Sequence, residues 1–445
     1  MLIIGTGKVV ILYWNFLCDE LHACSPDARF VFEALANRAA RGERCCYRVK
    51  TLAAILHLSQ KLVSGALTEL KEAGALVDEQ TKPAGKGRPA IRLEITPHLL
   101  QQIEEMGNPY GIHSEILECL FSEAEILAAK PNAQPVINKG IELSTRDGRS
   151  APSGARGRLS AANRFLLGEL LVNADKFGVV SRIGNAQLRR LTGLDDASLK
   201  HRLRRLIDLG FIRRFVPGLT SSIFKSGKVS STYFLNLTHH GFGISSGCGV
   251  LRHVAVTHKT AHYSDAQMLQ NHVEIFIVTG KYWLKGSPVP VVKFLAGQNE
   301  RVFAVVQVML FRYVSYLLTN HWKDLGGGRP VARETVSDLI SRDFRQPDQD
   351  REWSAILDHF YKRAIELAED FKARFSQVST FEFAAVETCV IPPALHQDYK
   401  TITTAVWPLR EGATGYIESQ DGPLSSGVEC PGGWGTIRYW PSHSD

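Results

Sequence analysis

Hydrophobic residues recur with helical spacing in two stretches that coincide when the sequence is shifted by 136 positions. TLAAILHLSQKLVSGALTELKEAGAL begins at Thr51, and QLRRLTGLDDASLKHRLRRLIDLGFI begins at Gln187. Self-similarity at one fixed offset is typical of a duplicated structural unit. The matched positions are Leu52 with Leu188, Ile55 with Leu191, Leu58 with Leu194, Val63 with Leu199, Leu67 with Leu203, Leu70 with Leu206, Gly74 with Gly210 and Leu76 with Ile212.

The spacing inside each stretch predicts a short helix, a turn and a longer helix, because the apolar positions recur at the intervals that one helical face requires. Ser59 and either Asp195 or Asp196 are suited to cap the longer helices, since a short side-chain oxygen accepts from free backbone N–H groups. Gly74 and Gly210 are suited to end them in the left-handed conformation.

A further helix is predicted before each stretch and a β-hairpin after it. The preceding helices are ARFVFEALANRAA, from Ala28, and NRFLLGELLVNAD, from Asn163. The strand pairs are ALVDEQ with IRLEIT and FIRRFV with SSTYFLNL, joined by loops that contain glycine and proline. CCYRV and VVSRI predict a third, short strand in each copy. The copies, here called repeat one and repeat two, therefore span residues 27–97 and 157–240.

Outside the repeats we expect an N-terminal segment (1–26), a helix and flexible linker (98–156), a helical C-terminal domain (241–385) and an irregular tail (386–445). The linker is rich in Ser, Gly and Arg, so the repeats are expected to move independently. The last long helix has an apolar stripe that serves either the core of its own domain or a homodimer interface. The stripe consists of Trp353, Ile356, Leu357, Phe360, Ala364 and Leu367.

We expect a cytoplasmic protein that does not enter a membrane. Gln307 and Arg312 interrupt the apolar run that begins at Val302, and the run is short for a bilayer span, so it predicts a buried core helix. No positive charge precedes the N-terminal apolar run, which argues against a signal peptide. The 8 cysteines form no C-x-x-C pair and fit reduced thiols.

Positive charge is concentrated in the repeats, although the whole chain has a net charge of only +7. Residues 158–228 hold fourteen Lys or Arg against five Asp or Glu, a net of +9, and residues 27–97 hold twelve against eight, a net of +4. The remainder is net negative. This local excess indicates a polyanionic partner for the repeats.

The order of elements in both copies resembles the winged helix-turn-helix superfamily. ELKEAGAL and RLIDLGFI look like the end of its recognition helix running into the wing, and GKGRPAIRLEIT is similar to wings of regulators of the multiple-antibiotic-resistance type. The resemblance implies a mainly α fold with small β-hairpins: tandem winged helix-turn-helix domains plus a C-terminal helical domain. It also implies double-stranded DNA as the partner, with the recognition helix in the major groove and the wing on the backbone or minor groove.

In repeat two the outward face of the recognition helix is predicted to be basic. This face and its flanks consist of Ser198, Lys200, His201, Arg202, Arg204 and Arg205. We expect the serine, the histidine and Arg202 to contact bases and Arg205 to contact phosphate. The wing adds cations for phosphates or a narrow minor groove. These are Arg213, Arg214, Lys225 and Lys228.

In repeat one the corresponding residues are less charged. They are Gln60, Lys61, Ser64 and Thr68 on the helix and Lys82, Lys86 and Arg88 in the wing. Gln60 is suited to adenine and Lys61 to guanine or phosphate. Acidic residues lie nearby, so repeat one is expected to contact either DNA or a protein partner.

No enzyme is expected: LGGGRP lacks the lysine and hydroxyl of a phosphate-binding loop, H-E-x-x-H does not occur, and GISSG at 243–247 matches G-x-S-x-G by spacing alone. Cys248, His253, His258 and His262 match no metal pattern, so neither a metal nor a cofactor is expected. The sequence favours a transcriptional regulator of bacterial or mobile-element origin. The alternatives are a replication initiator, against which the long linker argues, and an assembly protein whose winged helices bind other proteins.

Overall fold

The structure is a computed structural model. It describes residues 12–17, 24–43, 48–80, 91–107, 109–121, 159–237, 239–242, 252–257, 265–280, 288–327, 331–348, 350–378, 386–392 and 401–408. Within these ranges the chain is mainly helical, with small two- and three-stranded sheets. It forms two compact units, of which the first comprises Met1–Ile212 with Leu235–Cys248 and the second Arg213–Phe234 with Gly249–Asp445.

The first unit contains the helices of both repeats. Its elements are α1 (Tyr13–Leu17), α2 (Pro26–Ala40), α3 (Val49–Ile55), α4 (Gln60–Glu72), β1 (Leu76–Gln80), β2 (Ile91–Ile95), α5 (Pro97–Met106), α6 (Ser114–Phe121), α7 (Ala161–Val172), β3 (Val179–Val180), α8 (Asn185–Thr192) and α9 (Asp196–Asp208). β1 and β2 form an antiparallel hairpin in which Leu76 is opposite Ile95. Each repeat thus has the predicted helix, short helix and longer helix in that order.

The predicted caps of α4 and α9 are present. Ser59 Oγ accepts a hydrogen bond from the backbone N–H of Leu62 at 3.2 Å, and Asp195 Oδ1 accepts from that of Ser198 at 2.8 Å. Gly74 and Gly210 follow these helices with φ angles of 76° and 81°. Because the left-handed region strains residues with a Cβ, glycine suits both helix ends. Of the two short strands predicted before α3 and α8, repeat two has β3, whereas residues 44–47 lie outside the described ranges.

The two repeats pack against each other through α2 and α7. Arg29 on α2 donates to the carbonyl oxygens of Arg190 and Leu191 in α8, at 3.0 and 2.6 Å. Arg164 on α7 donates to the carbonyl oxygen of Leu56, directly after α3, at 3.2 Å. Carbonyls at helix C-termini have no partner inside their own helix. Each repeat therefore supplies hydrogen bonds that the other repeat needs.

Residues 97–121 also join the repeats. α5 packs on α2, and α6 packs on both α2 and α7. Phe121, the last residue of α6, lies so close to Gly168 of α7 that a Cβ there would come within 2.8 Å of the ring. The structure therefore differs from the expectation that the repeats move independently. Residues 122–158, which include the Ser-, Gly- and Arg-rich stretch from 144 to 158, lie outside the described ranges.

Two glutamates are completely buried where α1 meets the repeats. Glu33 accepts hydrogen bonds from the hydroxyl of Tyr110 at 2.8 Å and from the first two backbone N–H groups of α1, while Glu169 accepts from the amide of Asn15 at 2.6 Å. Burial raises the pKa of Glu33 to about 7 and that of Glu169 to about 8. Both carboxyl groups thus bind a proton more readily in the folded chain than in the unfolded one.

The second unit begins with the strands of the repeat two wing and continues into helices. Its elements are β4 (Ile212–Val216), β5 (Leu219–Thr220), β6 (Lys228–Val229), β7 (Thr232–Leu235), β8 (Arg252–Thr257), α10 (Asp265–Thr279), α11 (Val289–Leu295), α12 (Glu300–Asn320), α13 (Arg333–Asp343), α14 (Asp350–Val378), β9 (Val386–Ile391) and β10 (Thr401–Pro408). Ile212 and Leu235, at the outer ends of β4 and β7, belong to the first unit.

β8, β10 and β9 form an antiparallel sheet in that order. β9 lies on α12, where the backbone N–H groups of Thr388 and Val390 donate to the hydroxyls of Thr319 and Ser315 at 3.0 and 2.9 Å. The prediction of an irregular tail from residue 386 is therefore wrong for β9 and β10. Both strands are rich in β-branched residues, as strands usually are. Residues 409–445 lie outside the described ranges.

Helix α12 is the core helix that the sequence predicts. Within the described residues it is the one helix long and apolar enough to cross a membrane, but 72% of its apolar window is buried inside the protein. The apolar stripe of α14 likewise faces its own unit: Trp353, Ile356, Phe360 and Ala364 are buried. A homodimer stays a prediction. These buried residues are not available as its interface.

The buried glutamates predict that the first unit is less stable at alkaline pH. The folded chain holds more protons between the ordinary glutamate pKa of 4.5 and about 8, so the free energy of unfolding falls as pH rises across that range. Glu169→Gln removes one of the two titrating groups and should reduce the loss between pH 5 and 8 by on the order of 3 kcal/mol.

Urea titrations at several pH values measure this effect. Glu104→Gln, at an exposed position of α5, is the control and should leave the pH dependence unchanged. An unaltered pH dependence in Glu169→Gln would show that Glu169 is ionised in the folded chain.

Candidate nucleic-acid interface

Helix α9 presents a basic face to solvent because its leucines face inward. Leu199, Leu203 and Leu206 are buried. On the opposite side Lys200, His201 and Arg204 are exposed, with Ala197 and Asp208 completing the outer stripe. Lys200 Nζ lies 2.6 Å from the carboxylate of Asp196. Both side chains are exposed, so this ion pair is weak and leaves the lysine able to contact another anion.

Arg202 does not face outward, contrary to the prediction. Its guanidinium donates to Ser160 Oγ at 3.2 Å and to Asn163 Oδ1 at 3.0 Å, at the start of α7. Position 202 follows Leu199 by three and precedes Leu206 by four, so it lies on the inward face. Burial raises the pKa of Asp27, and the nearby charge of Arg202 opposes this effect. The side chain thus serves the packing of the repeats.

Two other predicted contacts on α9 are also partly withdrawn from solvent. Ser198 is half-buried, and its hydroxyl donates to the cap residue Asp195 at 2.8 Å. Arg205 is half-buried as well. Of the six predicted positions on this helix, the structure therefore exposes Lys200, His201 and Arg204.

Helix α8 adds cations that the sequence analysis did not select. Arg189 and Arg190 are exposed, as is Gln187, while Leu188 between them is buried. The helical spacing of the leucines around Arg189 and Arg190 was the signal that would have placed both arginines outside. Together with α9 they form the basic face of repeat two, which consists of Arg189, Arg190, Lys200, His201 and Arg204.

The turn between α8 and α9 depends on a glycine. Gly193 has a φ angle of 70°, and a Cβ there would lie 2.9 Å from the guanidinium carbon of Arg29. The equivalent residue of repeat one, His57, also has a positive φ, of 53°. The left-handed residue thus recurs in both copies, and in repeat two the arginine of repeat one packs directly over it.

Repeat one presents a less charged face. Gln60, Lys61, Ser64 and Thr68 are all exposed on α4, as predicted. Lysine is the one charged residue among these four. Further along the helix, Lys71 Nζ lies 2.5 Å from the carboxylate of Asp78. The three predicted wing residues of this repeat, Lys82, Lys86 and Arg88, lie outside the described ranges.

The wing of repeat two is docked on the helices of the second unit. The backbone N–H of Lys225 donates to the carbonyl of Asp343 at 2.8 Å, and that of Arg345 donates to the carbonyl of Ile223 at 2.7 Å. Lys225 Nζ also donates to the carbonyl of Ser341, at 3.2 Å. Lys225 is nevertheless exposed, and its predicted contact with phosphate stays a prediction.

An aromatic side chain anchors this wing. Phe224 is fully buried, and its ring is stacked on that of Phe344 with 5.9 Å between the centroids. Phe344 is in turn stacked on Phe360 of α14, at 4.9 Å. Among the basic residues predicted in this wing, Lys225 and Lys228 are exposed, and Arg213 and Arg214 are half-buried in β4.

The chain has no match among protein-family models, curated proteins or solved structures. Among the described residues, no group of three or more His, Cys, Asp or Glu side chains is placed to hold a metal ion. Cys248, His258 and His262 lie outside those residues. The basic face of repeat two is the candidate site because five cationic or titratable side chains are exposed on two adjacent helices.

Gly193→Ala should lower the free energy of unfolding of the first unit by roughly 2–3 kcal/mol, because alanine is strained at this φ and its Cβ meets Arg29. Gly74→Ala is the matched control: its φ is similarly positive, but no atom lies within 4 Å of the added Cβ. We expect it to cost about 1 kcal/mol. Urea titration compares the two, and equal losses would contradict the close approach of Arg29.

Phe224→Ala should release the wing and lower the stability of the second unit by about 3–5 kcal/mol, the usual cost of emptying a buried phenylalanine site. Limited trypsin digestion detects release as faster cleavage at Lys225 and Lys228. Phe224→Leu, which keeps most of the side-chain volume, should be cleaved nearly as slowly as the unaltered protein. Equal cleavage rates in all three proteins would show that the wing is not held by this ring.

Proposed function

We propose that the two repeats are winged-helix domains and that the protein binds double-stranded DNA through the basic face of repeat two. The observation that carries the proposal is this exposed set of five cationic or titratable side chains on α8 and α9. A helix with an apolar inner face and a cationic outer face is suited to the major groove, where arginine and lysine contact guanine or phosphate.

In the proposed complex repeat two contacts DNA through its helices. α9 supplies the base contacts through Lys200, His201 and Arg204, and Arg189 and Arg190 contact the neighbouring phosphates. Lys225 and Lys228 are exposed but belong to the second unit, and we assign neither to this contact.

We propose transcriptional regulation as the first role and initiation of replication as the second. The close packing of α2 against α7 favours the second role more than the sequence did, because paired winged helices in plasmid initiators are closely joined. Footprints confined to promoters would support regulation, whereas footprints on tandem origin repeats would support initiation. An assembly protein would retain no duplex DNA in a salt-dependent manner.

Removal of an exposed cation should reduce the salt dependence of duplex binding. Lys200→Ala and Arg204→Ala should each lower the slope of log affinity against log salt by about 1 if the side chain contacts phosphate, or weaken binding by about 1–3 kcal/mol if it contacts a base. Fluorescence anisotropy with a labelled duplex measures both quantities. Unchanged affinity and slope in both variants would remove α9 from the interface.

Two controls separate a surface effect from a folding effect. Lys323→Ala removes an exposed lysine of the second unit and should not alter binding. Arg202→Ala removes the hydrogen bonds to Ser160 and Asn163, so it should lower the stability of the first unit while the salt slope is retained. A reduced salt slope in Arg202→Ala, with stability unchanged, would return this residue to the DNA interface.

A further inference from the structure

The arginines that join the repeats occupy equivalent positions. Arg29 and Arg164 each precede a phenylalanine, Phe30 and Phe165, on the first helix of their repeat. Each reaches the other repeat at the same place, the end of the short helix that leads into the turn. Reciprocal contacts of this kind are the signature of a two-fold interface. One chain therefore contains the arrangement that usually joins two copies of a domain.

Burial makes this arrangement rigid. Both arginines are 2% exposed, and Arg164 lies over the ring of Phe30 with 4.6 Å between its guanidinium carbon and the centroid. Separation of the repeats would break the hydrogen bonds from these arginines to the other repeat and expose α7, in which all twelve residues are buried. Exposure of a buried apolar face is costly. The reciprocal hydrogen bonds of Arg29 and Arg164 therefore oppose any change in the relative position of the two predicted helix–turn–helix segments.

We infer that the two repeats act as one rigid pair, so that a single chain recognises a two-part duplex site of fixed spacing in which the half bound by repeat two dominates. This inference rests on the proposed function. The inequality of the halves follows from charge, because α8 and α9 expose Arg189, Arg190, Lys200, His201 and Arg204, whereas α3 and α4 expose Lys50, Lys61 and Lys71, the last of which is paired with Asp78.

Arg29 is a positioning residue in this scheme. It holds the last turn of α8 through two carbonyls and packs over Gly193, two residues before the cap of α9. The orientation of the basic face of repeat two is thus fixed by a side chain of repeat one. Arg164 has the same relation to the turn before α4.

The experiment selects duplexes bound by the full chain from a random library and then alters the spacing of the selected site. We expect a two-part sequence, protected by one chain per duplex, with the stronger constraint in one half. Insertion of about five base pairs turns one half to the opposite side of the duplex, and insertion of about ten shifts it by about 34 Å. A rigid pair should lose about tenfold or more in affinity with either insertion.

Variants of the arginines test the cause of the spacing dependence. Arg29→Ala combined with Arg164→Ala should make binding tolerant of both insertions. Arg38→Ala is the control, because Arg38 is also buried in α2 but pairs with Glu43 of its own repeat at 2.7 Å. It should retain the spacing dependence. If the double variant fails to fold, the insertion series on the unaltered protein still decides.

The outcomes separate the inference from the proposed function. Absence of salt-dependent binding to any duplex would overturn the proposed function and the inference with it. Binding that survives both insertions, protects one half alone or requires two chains per site would overturn the inference and leave DNA binding in place. Loss of affinity with both insertions, at one chain per duplex, would support both.

Discussion

The first unit depends on the pairing of charged groups that are buried between the repeats. Arg29 and Arg164 lie in helices with almost no exposed surface, and a guanidinium in such a place is tolerated only when acceptors surround it. The acceptors are carbonyls that helix termini leave unsatisfied. One set of hydrogen bonds therefore offsets both the burial of the guanidinium groups and the lack of partners for the carbonyls. These bonds form only while both repeats are in contact.

The N-terminal helix extends the same constraint. α1 has five residues and too few internal hydrogen bonds to persist by itself. Its first N–H groups donate to Glu33, and Asn15 donates to Glu169, so the helix supplies hydrogen bonds to two buried carboxyl groups. Burial makes these glutamates hard to ionise. Their hydrogen bonds with α1 also hold this helix against the repeats.

The sequence predicts local structure better than it predicts what the elements pack against. Helix limits and caps follow from spacing and from residues such as Ser59 and Asp195, because these signals act within a few residues. The partners of Arg29 in repeat two are more than 150 residues away, and no local pattern indicates them. For Arg202 the local pattern is sufficient. Its spacing from Leu199 and Leu206 places it on the inward face of α9, although its charge favours solvent.

The docked wing shows why net charge alone is a poor guide to a binding surface. Residues 158–228 carry a net charge of +9, yet Arg164 is buried in the core, Arg202 is hydrogen-bonded to α7, and Lys225 is bonded to Ser341. A wing tip that contacts phosphates should be polar, whereas this one places Ile223 and Phe224 in the interior of the second unit. Arg189, Arg190, Lys200 and Arg204 on α8 and α9 remain exposed. Burial, more than composition, therefore locates the surface that an anionic partner would meet.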